Sequence, residues 1–257
     1  MLKNQDFKEF LKSSTSLLAP LISIADPSVS EMMTYLSPDF LIVDMEHSVI
    51  DIPVLQQILM ASRQMPVIAR IRGLEKNEIK KVLDTGVSGI IIPGIETVEE
   101  VRQAVSFSKI PPAGVRGVGP GRASKYGYRY KDYAKEANKS LVMVQIETRS
   151  AFESIEKIAS TPGLDGCFIG PVDLSASLQI DFSWESEEFL HSIDRILASV
   201  IKNDLISGIY SPLSNINLSP ILERKFNFIM FGTDREAIQL RYLESMEFVR
   251  RMSKSRS

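Results

Sequence analysis

A closed (β/α)8 barrel is the fold this sequence predicts, on three observations. Eight short apolar runs recur along the chain, segments of helical period separate most of them, and 257 residues is a length at which such units close as one domain. Strand patterns alternating with helix patterns argue for parallel strands joined by crossovers. Eight units favour a closed barrel over an open, doubly wound sheet.

In chain order the strand candidates are Leu17 to Ile24, Phe40 to Asp44, Val67 to Ile71 and Gly89 to Ile92, then Leu141 to Ile146, Gly166 to Ile169, Ile206 to Tyr210 and Phe226 to Phe231. Amphipathic helices fit between them at Val54 to Arg63, Asn77 to Asp84, Val98 to Phe107, Ala151 to Ala159 and Phe189 to Lys202. A last helix, from Asp234 to about residue 253, places Ile238, Leu240, Leu243 and Phe248 at apolar positions and reads as the eighth barrel helix. One domain covering residues 1–257 accounts for all of these segments.

The spacing breaks once, between Pro111 and Leu141. The stretch Pro111 to Ser124 is rich in glycine and carries Arg116 and Arg122, and a polar, helix-compatible segment follows it. A long βα excursion of this kind is either a surface loop or a lid that closes over a site, with the two arginines as anion contacts. It is not a phosphate-binding loop, because no Gly-Lys-Ser/Thr follows and a helix, not a strand, precedes it.

Composition excludes several function classes. A net charge of −2 and a pI near 5.9 give no electrostatic footprint for nucleic acid or an anionic membrane. The amino terminus mixes charged and apolar residues without a signal-peptide core, and no apolar stretch is long enough to span a bilayer. Cys167 is the one cysteine, so no intrachain disulfide forms. A cytoplasmic location is expected.

Barrel enzymes build their sites at the carboxyl ends of strands, and polar residues gather there. Asp44, Glu46 and His47 follow the second strand, Arg70 ends the third, Pro93-Gly94 follows the fourth, Gln145 and Glu147 lie at the end of the fifth, and Gly170-Pro171-Val172-Asp173 follow the sixth. Glu147 and Asp173 are the most informative pair. Two carboxylates from successive strand ends suit a hard divalent ion and leave positions for water and substrate. The ordinary alternatives are an ion pair for Glu147 and a helix cap for Asp173. Arg70 ends an otherwise apolar strand and is placed to grip a carboxylate in a fork, where an ordinary arginine would be a surface residue or a salt-bridge partner. His47 is of a residue type suited to proton transfer near neutral pH, although a lone histidine is commonly packed or solvated. Asp84 ends a helix against the helix dipole, which points to a partner elsewhere or to a solvated carboxylate.

The segments Asp44 to His47, Ile79 to Gly86, Pro111 to Gly119, Val144 to Thr148 and Phe168 to Ser175 together resemble the HpcH/HpaI aldolase family, in the same order and across about residues 39–180. These are metal-dependent, class II pyruvate aldolases with the barrel of the phosphoenolpyruvate/pyruvate superfamily. The resemblance is weaker at the first strand, which lacks the usual glycine, and at Gly208-Ile209-Tyr210-Ser211, which replaces a more aliphatic segment. It implies that Glu147 and Asp173 bind a divalent metal (Mg²⁺, Mn²⁺ or Co²⁺) and that Arg70 and Gln145 hold pyruvate. His47, paired with Asp84, is the implied acid/base, working through a bound water. Asp44 is a further site carboxylate, and Gly170 and Pro171 complete the substrate-binding set. The resemblance further implies oxo-acid and aldehyde substrates, and a homo-oligomer built from dimers, up to a hexamer, that exchange terminal helices.

The chemistry coheres on these residues. A 4-hydroxy-2-oxo acid breaks its C3–C4 bond to give an enolate and an aldehyde, and positive charge beside the oxo oxygen stabilises the enolate. A Schiff-base mechanism would need a strand lysine, and none of the eight runs contains an internal one. The alternatives are another oxo-acid lyase or mutase of the same superfamily and a non-catalytic barrel that binds small acids.

Overall fold

The computed structural model describes residues 4–214 and 217–254. Its strands are β1 (Leu17–Ile22), β2 (Leu41–Asp44), β3 (Val67–Arg70), β4 (Gly89–Ile92), β5 (Leu141–Ile146), β6 (Gly166–Ile169), β7 (Ile206–Ser211) and β8 (Phe228–Thr233). They pair in sequence order, all parallel, and β8 closes the barrel on β1. The eight predicted runs are these eight strands, three of them residue for residue and the others with ends displaced by one or two residues. β1 stops at Ile22 because the next two backbone N–H groups, of Ser23 and Ile24, leave the ladder for the Asp234 carboxylate at 2.9 and 2.8 Å.

Apart from β1, whose Leu18 is exposed, the strands are largely buried on both faces, which is why they read as continuous apolar runs. Alternate residues point inward: Ala19 and Leu21, Ile42, Ile68, Ile91, Leu141 and Met143, Phe168, Ile206, Phe228 and Met230 fill the barrel. The intervening residues, such as Val43, Ala69, Ile90, Val144 and Ile229, pack outward against the helices. The amino-terminal end is plugged by Phe7 and Leu11 from a helix at Asn4–Ser13, with the Phe7 and Phe40 rings edge to face at 5.4 Å. Glycine makes room inside: a Cβ on Gly208 would lie 2.2 Å from the Phe228 ring.

The predicted helices form at Ile52–Ala61, Lys76–Asp84, Val98–Ser108, Glu187–Lys202 and Asp234–Lys254. The one expected at 151–159 divides into Arg149–Glu153 and Ile155–Ala159. The plug helix at Asn4–Ser13 was not foreseen. No helix among the described residues is long and apolar enough to cross a membrane.

The segment at 110–140 requires a correction. It joins the helix Val98–Ser108 to β5, so it is an αβ connection at the amino-terminal end of the barrel, and within this chain it cannot close over the carboxyl-terminal mouth. Nor do its arginines wait for an anion. Arg116 is sealed at 1% exposure, with Nη1 on the Ser108 carbonyl at 3.2 Å and Nη2 on the Tyr133 hydroxyl. Arg122 donates to the Thr85 carbonyl at 2.9 Å. Both tie the connection to the barrel wall through backbone oxygens.

Candidate active site

The inward alternation that fills the barrel continues into polar residues at the carboxyl ends of the strands. Asp44 and Arg70 occupy register-paired inward positions on β2 and β3, Gln145 is the last inward residue of β5, and Tyr210 the last of β7. Together they floor a cavity of about 250 Å³. Of the residues expected at a site, Asp44, His47, Arg70, Gln145, Gly170, Pro171 and Asp173 line it.

Arg70 is the centre of charge. Its Nε and Nη2 donate to Asp44 Oδ1 and Oδ2 at 3.0 and 2.9 Å, and Nε lies 3.2 Å from Glu46 Oε2. Burial acts to lower the Arg70 pKa, and the Asp44 fork with the charges of Glu46 and Glu147 outweighs it, leaving the group firmly protonated. Asp44 lines the cavity and spends both carboxylate oxygens on this fork. It orients Arg70 and turns the chain, accepting from the backbone N–H groups of Glu46 and His47 at 3.0 and 3.3 Å. Among the described residues nothing hydrogen-bonds to Arg70 Nη1, so that edge of the guanidinium is open to a ligand.

Glu147 stands behind the cavity wall. Its Oε1 accepts from the Gly94 N–H at 2.7 Å and its Oε2 from Gln145 Nε2. Gly94 presents that N–H from a left-handed conformation (φ +67°), which glycine adopts without strain. Gly170 lets β6 approach: a Cβ there would sit 3.0 Å from Glu147 Oε2 and 3.1 Å from Gln145 Nε2. Asp173 lies in the first turn of the helix Pro171–Leu178, exposed at the cavity rim, and it does not cap that helix, whose N-cap is Gly170 without a side-chain bond.

These residues fit a divalent ion. Glu147 supplies hard oxygen donors beside Gly170, Asp173 supplies others at the cavity rim, and Gln145 Oε1 is buried without a partner. Among the described residues no set of three or more His, Cys, Asp or Glu side chains forms a metal cage. A two-carboxylate site of this kind leaves coordination positions for water and a chelating substrate.

His47 is exposed, with Nε2 3.7 Å from Glu46 Oε1. Its expected partner lies elsewhere. Asp84 ends the helix that leads into β4, at the amino-terminal side of the barrel, while His47 follows the carboxyl end of β2. Burial raises the Asp84 pKa against the opposing charges of Arg116 and Lys80, and its Oδ1 is buried with no hydrogen-bond partner among the described residues. Within one chain the carboxylate beside His47 is Glu46, whose own pKa is raised by burial, opposed by Arg70, reinforced by Glu147, opposed by His47 and reinforced by Asp44.

Several cavity residues were not foreseen: Ser23, Phe168, Tyr210, Thr233 and Arg235. Tyr210 was legible in principle as the last inward position of its strand. Its hydroxyl is pushed up to about 12 by burial and by Glu236, against Arg70.

The family model for HpcH/HpaI aldolase/citrate lyase matches residues 21–239. The 5-keto-4-deoxy-D-glucarate aldolase of Klebsiella pneumoniae is 32% identical over 231 residues, covering 89% of this chain and 90% of its own. The 4-hydroxy-2-oxovalerate aldolase of Novosphingobium aromaticivorans is 32% identical over 232 residues, covering 89% and 88%. Among solved structures, an HpcH/HpaI aldolase/citrate lyase family protein from Burkholderia cenocepacia superposes with a TM-score of 0.88 at 27% identity, over 96% of this chain and 99% of that one. With the barrel closed in the order the sequence predicts and the family model spanning all eight of its mouth loops, this chain belongs to the HpcH/HpaI aldolase/citrate lyase family.

Proposed function

We propose that the protein is a class II aldolase that reversibly cleaves a 4-hydroxy-2-oxo acid to pyruvate and an aldehyde. The observation that carries this is the joint placement of Arg70, with one guanidinium edge free, and of the Glu147 carboxylate around Gly170 in one barrel mouth. The names of the aldolase relatives support the same reaction class.

Glu147 and Asp173 would hold a divalent metal, Mg²⁺, Mn²⁺ or Co²⁺, which when bound supplies Lewis-acid stabilisation of the charge developing on the oxo oxygen. Arg70 takes the substrate carboxylate on its Nη1 side, where its charge is fixed at every working pH. Gln145 lines the cavity with its Nε2 spent on Glu147, which leaves Oε1 as an acceptor for a hydroxyl of the bound oxo acid. His47 accepts the C4 hydroxyl proton. As the C3–C4 bond breaks, C4 becomes the aldehyde carbonyl and the bonding pair passes to C3 as the pyruvate enolate, which takes a proton at C3 to give pyruvate. In the reverse direction His47 returns the proton to the new alkoxide. Glu46 stands beside both Arg70 and His47, with Oε1 3.7 Å from the imidazole Nε2.

The enzyme works in the cytoplasm as a homo-oligomer, a proposal supported by the many exposed apolar side chains on the last helix, among them Tyr242, Leu243, Phe248 and Val249. The reaction is tested by following pyruvate release from a panel of 4-hydroxy-2-oxo acids, with Mn²⁺ or Mg²⁺ and with a chelator. Metal-dependent release supports the proposal, and release that survives complete chelation contradicts it.

A further inference from the structure

Arg70, the cation on the β3 side of the cavity, is compensated by Asp44 and Glu46. Arg235 is a second cation lining the same cavity, and it is not. Among the described residues no carboxylate pairs with its guanidinium, and its one side-chain bond is from Nη2 to the Ser23 carbonyl at 2.7 Å. The neighbouring Asp234 carboxylate is consumed elsewhere, by the Ser23 and Ile24 N–H groups, the Ser23 hydroxyl and the backbone N–H of Arg235 itself. Arg235 also stands in the first turn of the helix Asp234–Lys254, where a positive charge opposes the helix dipole. Local structure therefore gives this charge one carbonyl and no carboxylate, and it lines the cavity.

Its place in the ring matters. In a closed eight-strand barrel β8 and β1 lie across the mouth from β4 and β5, so Arg235 and Ser23 sit opposite Gly94 and Glu147. The cavity that Arg70 lines extends along the β7, β8 and β1 side, past Thr233, Arg235 and Ser23. Tyr210 lines that side, uncharged at working pH and with no hydrogen-bond partner for its hydroxyl among the described residues. Glu236, whose charge acts on the Tyr210 hydroxyl, is absent from the cavity lining; its Oε1 accepts from the Ser214 N–H at 3.0 Å and its Oε2 is buried without a partner among the described residues.

We infer that Arg235, with the Tyr210 hydroxyl, forms a subsite for an anionic group on the aldehyde fragment, so that this enzyme takes aldehydes carrying a carboxylate or phosphate in preference to neutral ones. The inference rests on the aldolase proposal above and narrows its substrate class. Guanidinium and phenol donors converging on one space recognise either anion.

The test is the ratio of kcat/KM for charged and neutral acceptors in aldol addition to pyruvate, comparing succinic semialdehyde with butanal and glyceraldehyde 3-phosphate with glyceraldehyde. The wild-type enzyme is expected to favour the charged member of at least one pair by tenfold or more, on the order of a charge-assisted hydrogen bond, and which pair responds separates carboxylate from phosphate. R235Q should collapse that ratio, R235K should retain part of it, and added salt should shrink it in the wild type, a readout that does not depend on a variant folding. A ratio near one in the wild type, or one unmoved by R235Q and by salt, overturns the inference. Pyruvate methyl exchange in the wild type, which needs no aldehyde, separates the cases: no exchange overturns the aldolase proposal and this inference with it, whereas exchange without a charge preference overturns the inference alone.

Discussion

The Arg70 guanidinium and the Asp44 carboxylate meet in a two-point fork, Nε to Oδ1 at 3.0 Å and Nη2 to Oδ2 at 2.9 Å, across the register-paired ends of β3 and β2. Asp44 thereby decides which edge of the guanidinium faces the substrate. The pair is nearly closed to solvent, with side chains 12% and 4% exposed. Asp44→Ala strips the buried guanidinium of its fork, leaving only Glu46 beside it, and is expected to cost about 3 kcal/mol, read as a lowered urea midpoint. It should also raise the KM for pyruvate about a hundredfold as Arg70 loses its orientation. Unchanged stability and KM would remove Asp44 from the positioning role.

Gly170 keeps Glu147 and Gln145 in place by having no side chain. Gly170→Ala puts a Cβ 3.0 Å from the Glu147 carboxylate, and the fold should survive, since only side-chain ends must move. Affinity for Mn²⁺, followed by calorimetry or electron paramagnetic resonance, is expected to fall about 10–100-fold, as when the support of a metal ligand is disturbed. Wild-type affinity in this variant would separate Glu147 from the metal.

Inside the barrel, Gly208→Ala meets the Phe228 ring at 2.2 Å, which overpacks the stacked Phe168 and Phe228 rings. A loss of about 1–3 kcal/mol is expected from chemical denaturation. The plug gives the complementary case: Phe7→Ala empties a fully buried site and is expected to cost about 3–5 kcal/mol.

Asp84 gives a pH prediction with a definite sign. Burial raises its folded pKa above the ordinary 3.8, so between the two values the folded state holds more protons than the unfolded one, and stability falls as pH rises through that window. Asp84→Asn removes the dependence. The variant's stability relative to wild type should therefore increase as pH rises from below 3.8 through the raised value, and a pH-independent difference in denaturation free energy would contradict the assignment.

The barrel was legible because its strands are largely buried on both faces and so appear as uninterrupted apolar runs, and because Asp44, Arg70, Gln145 and Glu147 interrupt that pattern at one end only. The plug helix was not, since its few apolar positions, Phe7 and Leu11 among them, are spread through charged residues in a short segment. Asp84 drew attention as a charge at the wrong helix end, and the structure sets it among Arg116 and Lys80, away from His47. The same argument, applied to Arg235 in the first turn of the last helix, would have found a cavity residue. Local charge patterns marked both side chains as unusual, and only the closing of the ring showed which of them faces the mouth.

Exchange of the pyruvate methyl protons in D₂O tests the central claim most directly, because it needs only the enolate half of the reaction and no knowledge of the aldehyde. Exchange that requires added Mn²⁺ or Mg²⁺, stops with a chelator and is lost in Glu147→Gln is the predicted result; a folded, metal-loaded protein that leaves the methyl protons in place would contradict the account.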